Sequence, residues 1–140
     1  MKWYLCNECF NVFRGENIKI EGTWAVPCVL ACCGGYMFEI DEEMIEPIRL
    51  LNMKGYVTDF CCAGHAYDGN ITGGYVSFDE YYAPNLDSLP KGWYRCEHSQ
   101  TPTIRYDFKK ESCYMDKVKT VHKKIEALIK WSDELPLNFE

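Results

Sequence analysis

The chain has 140 residues, 47% of them apolar and 15% aromatic, with 15 basic against 21 acidic side chains and a net charge of −6. A chain this apolar buries enough surface to offset its ordering entropy, which excludes intrinsic disorder, and no apolar run approaches membrane-spanning length, so a membrane partner is not expected. The length fits one domain, or a small module joined to one domain.

In chain order, residues 3–38 read as a small β module. Trp3-Tyr4-Leu5 leads into Cys6, Asn17-Ile18-Lys19-Ile20 alternates polar with apolar, and Tyr36-Met37-Phe38 follows Gly34-Gly35. Asp41 offers an N-cap to a helix running to about Lys54, with Met44, Ile48 and Leu51 on one face and Gly55 at its stop. Pro47 is tolerated only in a first turn, so the regular helix begins near Glu43 or its start is irregular. Tyr56 to Phe60 alternates like a strand and feeds a loop at Cys61–His65. The stretch from Asp68 to Gly74 turns, and Tyr75–Phe78, Trp93–Cys96 and Thr103–Tyr106 are further strands. Met115, Val118, Val121, Ile125, Leu128 and Ile129 recur at three- and four-residue steps, which predicts an amphipathic helix from about Ser112 to Glu134.

The nine cysteines carry the chemistry. The N-terminal MKWYLCNECF has neither the apolar core nor the cleavage site of a secretory signal, so a cytoplasmic location is expected, where thiols stay free or bind metal. Cys6-x2-Cys9 curls the backbone so that both sulfurs meet one ion, and Cys28, Cys32 and Cys33 follow at the distance that suits a second cysteine turn. The second turn is irregular. Cys33 is preferred as the fourth ligand because Gly34 and Gly35 permit the tight turn after it, and Cys32 is the alternate. With these residues the segment 3–39 resembles the zinc ribbon family, which implies a zinc cofactor and a shape without implying a task.

The second informative stretch is Leu50 to His65, in which a helix and a strand lead to Cys61-Cys62-Ala63-Gly64-His65. It is similar to the loop of the wybutosine-synthesis methyltransferase family, with Thr58, Cys62 and Gly64 matching and His65 standing where that family has arginine. The resemblance implies an S-adenosylmethionine-dependent enzyme acting on nucleic acid, with Thr58 and Gly64 as cofactor-binding and Cys62 and His65 as catalytic candidates. The wider layout resembles small bacterial and phage proteins that join a ribbon to this loop. From the residues alone, Cys62 and His65 could form a thiolate–imidazole pair. Cys61 or Cys62 with His65, Cys96 and His98 could instead converge on a second metal, or the loop could be a tight turn of small buried thiols.

Charge bears on the partner. Residues 41–108 carry eleven acidic and five basic groups, and a region this acidic repels a phosphate backbone. Lys117, Lys119, Lys123, Lys124 and Lys130 read as a solvated helix face, and Tyr81, Tyr82, Trp93 and Tyr94 as packing before a base-stacking platform. The expectation is therefore an α+β protein: a zinc ribbon over residues 1–40, then a mixed sheet covered by two helices over 41–140. It would serve as a zinc-stabilised binding or accessory module for a protein or small molecule, with the methyltransferase as the alternative.

Overall fold

The computed structural model describes residues 2–15, 25–28, 30 and 33–138. Among these, β1 (Trp3–Cys6), β2 (Val12–Arg14), β3 (Ala25–Pro27) and β4 (Tyr36–Ile40) form a four-stranded antiparallel sheet in the order β2-β1-β4-β3. The strand expected at Asn17–Ile20 lies outside the described residues.

Strand alternation gives this sheet two faces with different work. Tyr4, Cys6 and Met37 are buried together, with Cys9, Phe13, Cys28 and Cys33 packed around them. Register places Trp3 opposite Ile40 and Leu5 opposite both Val12 and Phe38. On this other face, buried Leu5 and Ile40 join the main hydrophobic core, with Trp3 and Val12 packed against it. This sheet is thus fixed to the rest of the chain by its apolar face, and the cysteines are left on the other.

Asp41 follows β4 and starts a 3-10 turn (Glu42–Met44), which runs into α1 (Ile45–Met53). Pro47 is the third residue of α1, inside the first turn where its missing N–H has no helical partner to lose. The irregular start anticipated from Pro47 is this 3-10 turn. Asp41 does not cap with its side chain; its carbonyl accepts the Met44 N–H at 2.9 Å and its carboxylate points elsewhere. Gly55, with φ +93°, turns the chain out of the helix. Lys54 Nζ then donates to the carbonyls of Ser132, Asp133 and Leu135 at 3.0, 2.6 and 2.7 Å. A cation on the terminal carbonyls of α2 (Tyr114–Glu134) ties the two helix C-terminal ends together.

The second sheet has the order β5-β6-β8-β7, from β5 (Thr58–Cys62), β6 (Gly73–Phe78), β7 (Tyr94–Arg95) and β8 (Thr103–Asp107). The α+β class is the one expected; the strand directions, expected to be mixed, are antiparallel in all described pairings. Val76, Phe78, Ile104 and Tyr106 supply the sheet's buried face, covered by Met44, Ile48 and Leu51 before it and by Ile125, Leu128 and Trp131 of α2. β5 runs two residues further than its sequence pattern suggests. Cys61 pairs with Val76 and Cys62 with Tyr75 after a register irregularity between Thr58 and Phe60. The two cysteines therefore end a strand and are held by its ladder, instead of lying in a free loop.

Leu128 is fully buried between α2 and this sheet. Leu128→Ala is expected to lower unfolding free energy by about 2–5 kcal/mol in urea denaturation, whereas Met115→Ala, on the exposed start of α2, changes it by less than about 0.5 kcal/mol.

Candidate metal centre

Cys6, at the end of β1, and Cys9 sit on one turn, and Cys28 and Cys33 come from the segment between β3 and β4. The four Sγ atoms lie within 4.8 Å of one another and none is in a disulfide. Cys6 and Cys33 are 3.5 Å apart and Cys9 and Cys28 3.8 Å. Tetrahedral metal–sulfur bonds of about 2.3 Å put ligand sulfurs about 3.8 Å apart, so the spacing fits four ligands around one ion. Cys32 lies outside the described residues.

Backbone amides converge on these sulfurs in a regular way. Glu8 N–H reaches Cys6 Sγ at 3.4 Å, Asn11 donates to Cys9, Leu30 to Cys28 and Gly35 to Cys33. Each sulfur takes the amide two residues on, the pattern of a metal-binding knuckle in which N–H dipoles stabilise thiolate charge. The Asn11 amide brings the Cys9 thiol down to about 6, while burial pushes Cys28 up to about 12. Four sulfurs so close cannot all carry charge without a cation among them. Gly35 makes the approach fit, because a Cβ there would meet Cys6 Sγ at 2.9 Å.

A second convergence involves a residue that the sequence reading placed at a helix cap. Asp41, Cys62 and His65 bring one oxygen, one sulfur and one ring nitrogen within 4.8 Å of one another. Asp41 Oδ2 accepts the Ala63 N–H at 2.8 Å and stands 3.5 Å from His65 Nε2. The Gly64 amide reaches the Cys62 sulfur, whose thiol is pushed up by burial and by its contact with the Asp41 carboxylate. Gly64 itself is buried with φ +90°, and a Cβ there would collide with the Tyr106 hydroxyl. That hydroxyl donates to the Ala63 carbonyl, so the turn is clamped from within the core. His65 also lines a cleft of about 530 Å³ with Gly64, Ala66 and Tyr67. Glu42, Glu43 and Glu46 form its acidic wall, and α2 supplies an apolar wall through Val118, Val121 and Ile125.

Other candidate residues are not brought together. Thr58 stands four residues up β5 from Cys62, about 13 Å along an extended strand, with its hydroxyl accepting from Asn52 Nδ2 at 2.9 Å. Cys61 pairs with Val76, packs against the core, and is pushed up to about 12 by burial. Cys96 and His98 follow β7, at the sheet edge opposite β5, with β6 and β8 between. That order corrects the expected convergence of Cys96 and His98 with Cys61, Cys62 and His65; Asp41 takes their place. Trp93 is buried edge-on against Tyr106 with its indole N–H on the Lys124 carbonyl, and Tyr94 donates to Asp107 at 2.6 Å, so the two do not present a free platform with Tyr81 and Tyr82. Among the described residues, no helix is long and apolar enough to cross a membrane.

Comparison of the chain with protein-family models, curated proteins and solved structures returns no match. The methyltransferase resemblance accordingly stays with the few residues of the Thr58–His65 stretch.

Gly64→Ala is expected to lower unfolding free energy by about 2 kcal/mol or more, combining a strained positive φ with overpacking against Tyr106. Gly69→Ala, where no atom lies within 4 Å of the added Cβ, changes it by less than about 0.5 kcal/mol. Parallel urea melts read both.

Proposed function

We propose that this is a zinc protein in which Cys6, Cys9, Cys28 and Cys33 hold one structural zinc ion. The ribbon so formed stabilises an accessory or binding domain, and that domain meets its partner at the Cys61–His65 edge. The observation that carries the reading is the four-sulfur shell, unbridged and spaced as the edges of a metal tetrahedron. An all-thiolate tetrahedral set selects zinc over harder divalent ions, and a closed set of four leaves no position for chemistry, which marks the site as structural. Besides Cys6, Tyr4 and Met37 are the buried hydrophobic residues of that face among those described. So small a cluster gives the cysteine-bearing face little apolar support of its own, and metal binding adds folding free energy there.

The partner surface follows from the cleft beside His65. Its three glutamates and the net charge of −6 disfavour a nucleic-acid backbone, and its apolar α2 wall suits a protein segment or a small uncharged or basic molecule. Methyl transfer rests on the few matching residues of the Thr58–His65 stretch alone.

Elemental analysis of Cys6→Ser and Cys9→Ser is expected to show one zinc fewer per chain than the parent, with a lowered melting temperature; Cys113→Ser, at an exposed position, keeps the parent's content. Acidification is expected to release the ion as the thiolates take up protons. Cys6→Ser protein with undiminished zinc would overturn the assignment.

A further inference from the structure

We propose that Asp41, Cys62 and His65 form a second zinc site, coordinatively open, with its fourth position toward the cleft between the Gly64–Tyr67 turn and α2. The inference adds a metal to the edge named above as the recognition surface, and it stands on residues separate from the four-cysteine centre.

The first support is repetition. Cys62-x2-His65 closes β5 as Cys6-x2-Cys9 closes β1, with the same ligand spacing at the same place in a strand. In both turns the amide two residues on reaches the cysteine sulfur, Glu8 onto Cys6 and Gly64 onto Cys62. All five cysteines in the two clusters receive this amide, which orients each sulfur and offers a donor to the charge a bound cation would draw onto it.

The second support is distance. His65 Nε2 and Asp41 Oδ2 are 3.5 Å apart, beyond the 2.7–3.2 Å of an N–H···O hydrogen bond. Two ligands bonded at about 2.0–2.1 Å in a tetrahedron stand about 3.3 Å apart, which is the nearer description. The Ala63 amide on Asp41 Oδ2 holds the carboxylate in place, as the outer partners of metal ligands do.

The third support is incompleteness on the open side. Three protein ligands of sulfur, nitrogen and oxygen type suit zinc and leave one position for water or a ligand. His65 is shared by the triad and the cleft wall, so that position borders the cleft. Glu42, Glu43 and Glu46 repel free anions there, and the ligand class that fits is a neutral or cationic molecule carrying a nitrogen or sulfur donor.

Zinc counting on the full chain, depleted with chelator and reloaded, tests the inference. The parent is expected to hold two equivalents; His65→Ala and Cys62→Ser each hold one, and His65→Cys, which restores a two-cysteine turn, holds two. In cobalt-loaded protein, imidazole is expected to change the visible spectrum of the parent and leave that of His65→Ala unchanged. One equivalent in the parent, lost in Cys6→Ser and kept in His65→Ala, overturns this inference and leaves the four-cysteine centre standing. One equivalent lost in His65→Ala and kept in Cys6→Ser supports it and removes the four-cysteine reading. Two equivalents with no response to imidazole would overturn the open position.

Discussion

Four sulfurs drawn into one shell are the constraint on which the first part of the chain depends. Thiolates at 3.5–3.8 Å repel one another strongly, and thiols at that distance share only weak S–H···S hydrogen bonds. A cation turns the repulsion into the force that holds the shell. Three local features serve that shell: the tight turn after Cys6, the absent side chain at Gly35, and the amide delivered to each sulfur. Because β1 alternates, the geometry that points Cys6 into the four-sulfur shell also points Leu5 at the core. Assembly of the sulfur shell and attachment to the main core are therefore properties of a single strand.

Asp41 links the two halves. It follows Ile40, the last buried residue of the ribbon sheet, and its carboxylate reaches across to the Ala63 amide at the end of β5. A backbone position that opens a 3-10 turn thus lends its side chain to a turn 22 residues later. Tyr106 clamps the same turn from the opposite side through the Ala63 carbonyl. Between them the Cys62–His65 turn is fixed by the ribbon, the core and the sheet, which gives its side chains a defined direction even though they border solvent. The positioning of Cys62 and His65 follows from packing, whichever ligand the edge takes.

Sequence pattern reaches part of this. Cys6 and Cys9 are legible because two-residue spacing has few uses besides metal binding. The long amphipathic helix is legible because its apolar period extends over six positions. Cys28 and Cys33 are less so, since four residues separate them and only the glycines that follow point to a turn. Asp41 shows the limit. Its local context, an acidic residue before a helix, fits a cap perfectly well, and nothing in the sequence says that the side chain is needed elsewhere. Cys96 and His98 show the converse: plausible ligands by type, they lie on the wrong edge because strand order within a sheet is set by long-range pairing that one sequence does not display. The end of β5 is misread for a related reason, since two cysteines followed by glycine look like a loop until the pairing of Cys62 with Tyr75 is known.

X-ray absorption at the zinc edge decides whether the β1–β4 sheet is organised by the all-sulfur zinc centre proposed above. Measured on Cys62→Ser protein, so that only the ribbon centre contributes, the account predicts a first shell of four sulfur scatterers at about 2.3 Å. A shell made of nitrogen and oxygen scatterers at about 2.0 Å, or protein without zinc, would contradict it.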